Sequence, residues 1–136
     1  MDCIFCRIAN GEIPSATVYE DDLVRVILDL GPAARGHALV LPKEHFTDST
    51  EAPEALLGHV MAVGASIGEA QMKAFGADGF NLIQNNGEAA GQSVFHLHMH
   101  VIPRKAGDGA VGLWKPGEIT PEEMNETAAM LREALD

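Results

Sequence analysis

Apolar residues recur at two periods along the chain, and the change of period marks the elements. Leu56, Val60, Val63 and Ile67 are spaced by four, three and four residues, which makes one stripe on an α-helix. Pro53 suits the first turn of that helix and Gly76 the residue after its end, so the pattern predicts a helix over 53–75. Short runs of apolar and β-branched residues, each closed off by glycine, proline or aspartate, predict strands at 17–20, 23–28, 37–41, 80–84 and 94–103. A last helix begins at Thr120, where Pro121 takes the first position and Glu123 completes a capping box. There is no repeat, low-complexity tract or linker, so residues 1–136 read as a single domain. Antiparallel-style strands with one long inserted helix and one C-terminal helix predict an α+β class, a sheet with helices on one side.

Composition narrows the function. A chain of 136 residues is long enough to bury a core of its own. No apolar run approaches the roughly 18 residues a membrane span needs, so no membrane partner is expected. The start, Met1-Asp2-Cys3, lacks the basic and apolar regions of a signal peptide, which predicts a cytoplasmic protein. A formal net charge of −11 leaves no basic footprint for nucleic acid. An anionic substrate would have to be recognised by local amides and histidines against an unfavourable overall field.

Two groups of residues carry chemistry. Cys3 and Cys6 have the spacing of zinc and redox motifs. Their place at the extreme N-terminus, with no strand before them, favours a metal once other ligands are found. The second group is His96-Leu97-His98-Met99-His100-Val101-Ile102, which alternates strictly. On a strand this puts His96, His98 and His100 on one face, roughly 7 Å apart, with Phe95, Leu97, Met99 and Val101 packing the core from the other. A lone histidine of this kind is ordinary, but three in register point to a site, because titratable clusters concentrate there. They could ligate a metal, or divide the labour between a nucleophile and phosphate binders. The loop just before them holds Gly87, Gly91, Gln92 and Ser93, and glycine lets backbone N–H groups approach an oxyanion closely.

With the histidine motif, Cys3-Ile4-Phe5-Cys6, the run from Gly36 to His45, Asn85-Asn86-Gly87, Gly91-Gln92-Ser93 and Ile102-Pro103-Arg104, the chain resembles the histidine-triad (HIT) nucleotide-binding family over nearly its whole length. It looks like the zinc-containing bacterial members close to the Hint branch. The resemblance implies a homodimer whose two sheets join into one. It implies hydrolysis or transfer of nucleotidyl groups from a nucleoside phosphoramidate, an adenylated amine or a dinucleoside polyphosphate, with a purine nucleotide as ligand.

By position, the resemblance makes His98 the nucleophile, and His100 and Ser93 the groups that hold the phosphate and leaving group. His37 supports the triad from a neighbouring strand. Asn85, Gly91, Gln92 and Val94 belong to the phosphate side, Asp29 accepts from the ribose hydroxyls, and Ile4, Phe5, Ile8 and Leu30 wall the base. It also supplies a closed ligand set for a structural zinc: Cys3, Cys6, His45 and His96. His59 has no matching role and reads as a boundary residue of the long helix. Trp114 lies in a tail that varies among relatives. Two rivals stand beside this reading. One is a metallohydrolase with the triad histidines as ligands. The other is a nucleotide sensor or interaction module that has kept the pocket without catalysis.

Overall fold

The computed structural model describes residues 3–135. In chain order the elements are α1 (Ile4–Ala9), β1 (Thr17–Glu20), β2 (Val24–Leu28), β3 (Ala38–Pro42), α2 (Glu54–Phe75), β4 (Gly79–Ile83), β5 (Met99–Arg104) and α3 (Pro121–Leu135), with a 3-10 turn at Glu88–Ala90. The five strands form one antiparallel sheet in the order β1-β2-β3-β5-β4. The predicted α+β class holds. Helix α2, inserted between β3 and β4, is what lets β5 enter between them.

Alternation along the central strands sorts two cores. Val24, Val26, Ala38, Val40, Met99 and Val101 meet the stripe Leu56, Val60, Val63 and Ile67 of α2. Ile27, Leu39 and Leu41 point the other way and are covered by Phe5, Ile8 and Ala9 of α1. The sequence pattern missed α1, so the expectation of helices on one side only is corrected. Six residues are too few to display a periodic stripe. The helix is set instead by a side-chain cap, the Cys6 N–H lying 3.4 Å from Cys3 Sγ.

A second correction concerns the histidine segment. The strand expected over 94–103 begins only at Met99. Its pairing with β3 ends at Val40↔Met99, although β3 itself runs on to Pro42 beside β2, so residues 94–98 have no ladder partner. One long-range bond, Leu97 N–H to the Phe46 carbonyl at 2.7 Å, holds the segment instead. Leu97, Met99 and Val101 are buried as expected, whereas Phe95 is half-exposed and leaves the core.

Helix α2 packs unusually close to the sheet. A Cβ on Gly68 would lie 2.3 Å from the Phe80 ring, and one on Gly64 3.2 Å from Leu82. Gln71, nearly fully buried, donates from Nε2 to the carbonyls of Gly36 and Val101, and so staples the helix to the β3 entry and to β5. Gly36 itself is at φ +93°, with Phe75 where its Cβ would be. Gly76 closes α2 in the left-handed conformation, as expected, while Pro53 stands one place earlier than expected, as the cap. At α3 half of the expected capping box forms: the Glu123 N–H donates to Thr120 Oγ1, while the Glu123 carboxylate accepts from the Thr120 hydroxyl instead of from the Thr120 backbone N–H. No described helix is long and apolar enough to cross a membrane.

Gly68→Ala tests this packing. Alanine gains about 1 kcal/mol of helix propensity, but overpacking against the Phe80 ring costs roughly 1–3 kcal/mol. The variant is expected to lose stability in urea unfolding. A variant as stable as the parent would show that Phe80 yields freely.

Candidate functional site

Two clusters form at the two ends of one backbone stretch, 96–100, on the face that Phe5 covers. The first gathers Cys3 from the cap of α1, Cys6 from within it, His45 from just beyond β3, and His96. Cys6 Sγ lies 3.2 Å from His45 Nδ1 and 3.4 Å from His96 Nδ1, Cys3 Sγ lies 3.5 Å from His96 Nδ1, and the two imidazole nitrogens are 3.2 Å apart. A tetrahedral zinc with Zn–N near 2.0–2.1 Å and Zn–S near 2.3 Å would set these edges at about 3.3–3.6 Å. The four donor atoms therefore already sit close to the corners a zinc ion requires. The other nitrogen of His96, Nε2, donates to the Pro42 carbonyl at 2.8 Å, the outer bond that fixes a ligand imidazole. Burial and the Cys3 thiol beside it push the Cys6 thiol up to about 11, so a bound cation would displace a proton.

The second cluster contains His37, His98, His100 and Asp29, and its hydrogen bonds fix which nitrogen carries each proton. The Ala33 N–H donates to His37 Nδ1 at 3.0 Å, so a neutral His37 is protonated at Nε2. That nitrogen is 2.9 Å from His100 Nδ1 and donates to it, which leaves the His100 proton on Nε2. His98 donates from Nδ1 to the carbonyl of His96 at 2.7 Å, so in the neutral ring the lone pair is on Nε2. The rings of His98 and His100 stand 5.1 Å apart. Burial lowers the pKa of His37, against the opposing pull of Asp29. It pulls His100 down to about 4, helped by His98 and His37. Both are neutral at neutral pH.

The same bonds bear on metal chemistry at the triad. His96 has one nitrogen on the Pro42 carbonyl and the other facing the cysteines, so it offers nothing to a metal shared with His98. Asp29, His37 and His100 bring ligand atoms within 4.8 Å of one another. Yet the Ala33 amide keeps the His37 proton on Nε2, the atom that would have to ligate. On these contacts a metal at the triad would lack His96, and one at Asp29, His37 and His100 would have to displace the His37 proton.

The other sequence-predicted residues divide. Phe5 stands edge-on to His98 at 5.0 Å, and Ile8 packs with it on the sheet. Ile4 is exposed and Leu30 fully so. Asp29 accepts from the Gly31 N–H through Oδ1, and its Oδ2 is 3.6 Å from His37 Nε2. Ser93 is exposed and, with Val94, lines a cavity of about 650 Å³ that also touches Ile4, Thr47, Glu51 and Phe95. Asn85 lies beside Gly91, which is at φ +99°. Gln92 is buried, with both polar ends spent on the backbone. Oε1 accepts from Gly87 N–H, while Nε2 donates to the carbonyls of Thr47 and Val94. It holds the loop in shape and has no free donor for a phosphate. His59 meets Asp21 at 2.7 Å and ties α2 to the β1–β2 turn.

Sequence reasoning missed three contributors: the Ala33 amide and the carbonyls of Pro42 and His96. All are main-chain groups and leave no trace in residue type.

Residues 10–107 match the HIT domain family. The chain is 46% identical to the adenylylsulfatase HINT3 of Arabidopsis thaliana, over 79% of this chain and 54% of that one. It is 37% identical to the adenosine 5'-monophosphoramidase hnt1 of Schizosaccharomyces pombe, over 91% of each. Among solved structures it resembles a zinc-bound histidine-triad protein of Mycobacterium smegmatis, at 40% identity, 98% coverage of both chains and a TM-score of 0.78.

Acid should expose the burial of the second cluster. Between about pH 6.5 and about pH 4 the unfolded chain protonates a histidine that folded His100 leaves neutral. Stability is therefore full above that window and falls as pH drops through it. His100→Asn should give a shallower fall in melting temperature across the window than the parent. Equal slopes would mean that His100 titrates in the fold as it does unfolded.

Proposed function

The chain belongs to the HIT domain family, and we propose that it binds a purine nucleotide and cleaves a bond at its α-phosphorus through His98, as a nucleotide hydrolase or nucleotidyl transferase. The observation that supports this most is the tautomer of His98. Its Nδ1 proton is held by the His96 carbonyl, so Nε2 carries an available lone pair.

The reaction runs in two displacements. His98 Nε2 attacks phosphorus, a P–N bond forms, and the bond to the leaving group breaks, with its electron pair leaving on the amine or oxygen. His100, protonated at Nε2, donates to a phosphate oxygen and stabilises the charge that develops there. Ser93 delivers a proton to the departing atom. Water or another acceptor then attacks phosphorus, the P–N bond breaks, and the lone pair returns to His98. His37 acts through His100: it holds that ring in the donor tautomer. The glycine-bearing loop at 87–91, shaped by Gln92 and Asn85, supplies the main-chain surface beside the phosphate, with Gly91 and Val94 at its exit. Phe5, Ile8, Ile4 and Leu30 offer apolar wall to the base, and Asp29 accepts from the ribose hydroxyls, giving up its present contacts to do so.

Zinc in this reading is structural. Cys3, Cys6, His45 and His96 would hold it, and it would supply a fixed anchor for α1 and for His96. The homodimer with a continuous sheet is also part of the proposal, because β4 lies at the sheet edge with its outer hydrogen-bonding groups unpaired among the described residues. The named enzymes among the relatives act on adenosine compounds with different leaving groups, a sulfate in one and an amine in the other. Both fit attack at the α-phosphorus. A sensor that only binds would use the same pocket but form no covalent intermediate.

Purified protein is expected to carry about one zinc per chain. Cys6→Ser should lose it and melt several degrees lower, read by metal analysis and calorimetry; full metal content in the variant would sink the ligand set. His98→Ala should lose turnover of an adenosine phosphoramidate by several orders of magnitude while still binding AMP in calorimetry. Rapid acid-free quenching of the parent should trap the nucleotidyl group on His98, seen by mass spectrometry. Turnover near the parent rate in His98→Ala would overturn the nucleophile assignment.

A further inference from the structure

The spacing of Cys3-Ile4-Phe5-Cys6 serves redox chemistry as well as metal binding, and a structural zinc uses only the second. These are the two cysteines of the chain, so a disulfide within it can join only this pair. Cys3 caps α1 and Cys6 lies in its first turn, with the Cys6 N–H 3.4 Å from Cys3 Sγ. Positions three apart at the start of a helix have Cα atoms roughly 5 Å apart. A disulfide spans Cα separations of about 4.4–6.8 Å. The two sulfurs lie within 4.8 Å of each other, and both face His96 Nδ1, at 3.5 and 3.4 Å. Rotation about the side-chain bonds can bring them together without moving the helix.

The sulfurs differ in access. Cys3 lines the cavity of about 650 Å³ beside Ser93, Val94 and Phe95. Cys6 Sγ sits instead between His45 Nδ1 and His96 Nδ1, at 3.2 and 3.4 Å. A small oxidant arriving from solvent therefore meets Cys3 first. Metal binding and disulfide formation also exclude one another. A tetrahedral zinc keeps two sulfur ligands about 3.8 Å apart, whereas a disulfide draws them to about 2.0 Å. With both sulfurs withdrawn, only His45 and His96 are left of the four ligands a structural zinc takes.

We propose, on the zinc reading given above, that Cys3 and Cys6 are an oxidation site for hydroperoxides: their conversion to a disulfide ejects the ion and loosens the wall of the nucleotide site. As ligands both sulfurs are thiolates. The Cys3 thiolate attacks one peroxide oxygen, an S–O bond forms, the O–O bond breaks, and hydroxide or alkoxide leaves, so that Cys3 carries a sulfenic acid. The Cys6 thiolate then attacks that sulfur, the S–S bond forms, the S–O bond breaks, and hydroxide leaves. The sulfurs give up two electrons, the peroxide bond takes them, and solvent protonates the departing oxygens. Phe5 lies between the two cysteines in the chain and stands edge-on to His96 at 6.1 Å and to His98 at 5.0 Å. Oxidation removes the link from α1 to His45 and His96, and with it a restraint on the Phe5 ring.

The test is graded hydrogen peroxide on the zinc-loaded full chain, with released zinc read by a chromogenic chelator and the cysteines mapped by peptide mass spectrometry. Zinc release is expected to track formation of the Cys3–Cys6 bond, and the melting temperature to fall with it. Dithiothreitol followed by zinc should restore both. Cys6→His keeps a full ligand set but cannot form the bond, and should release zinc roughly tenfold more slowly than the parent. Equal release from the two would overturn the proposal; if the variant takes up no zinc, the peptide map of the parent decides alone. A parent that keeps its ion under peroxide, or loses it with separate sulfinic acids and no bond between the cysteines, overturns the oxidation site and leaves the zinc reading standing. A parent that takes up no zinc overturns both.

Discussion

His96 is the residue on which both clusters depend. Its imidazole is completely buried, and each of its polar groups has a separate task. Nε2 is bonded to the Pro42 carbonyl, Nδ1 faces the cysteines and His45, and the main-chain carbonyl accepts the His98 proton. An unpaired buried polar group costs about 1–3 kcal/mol, so none of these partners can be dropped without penalty. The consequence is mechanical as much as energetic. The ring contacts fix the His96 side chain, and its carbonyl, on the same residue, accepts the proton of His98 Nδ1.

The proton chain at the second cluster meets a problem posed by the charge of the chain. A protein at −11 repels an anionic nucleotide at long range. Cationic histidines would offset that, but a protonated His98 could not attack phosphorus. The fold keeps His37 and His100 neutral by burial and orders their protons in one direction, from the Ala33 amide inward. The site thereby offers the His100 N–H as a donor without a formal positive charge on His37 or His100. If the site takes a nucleotide as proposed, recognition of its phosphate falls on dipoles held close to it, which act at short range and need no long-range field.

The sequence made much of this legible, and the failures share a cause. The α2 stripe, the strand runs and the capping box at Thr120 are periodic or positional signals, and each marks an element of the fold. The metal-type cluster could be assembled only through the family resemblance, because Cys3, His45 and His96 lie far apart in sequence and no spacing links them. What stayed hidden depends on main-chain geometry. Alternation through Phe95 to Val101 reads as one strand, whereas ladder pairing stops at Met99 and Phe95 turns out to solvent. Gln92 looked like a phosphate contact by its place in the motif, but its amide is consumed within the loop. Residue type says that an amide can donate; only the fold says to what.

The short helix α1 shows why a metal-type anchor belongs at this end of the chain. Six residues cannot sustain a helix unaided. Its burial is modest: Ala9 is enclosed, while Phe5 and Ile8 are only partly covered. Yet Phe5 must stay edge-on to His98 at 5.0 Å for the wall of the site to exist. Hydrophobic contact alone would leave that ring on an element free to fray, since so short a helix is marginal by itself. Cys3 at the cap of α1 and Cys6 within it solve this if they share a cation with His45 and His96, because ligation would fix the helix to the backbone stretch that carries His98. The anchor can then contribute to catalysis without touching the substrate. It holds the wall and the His96 carbonyl in one frame, so the position of Phe5 and the tautomer of His98 stand or fall together.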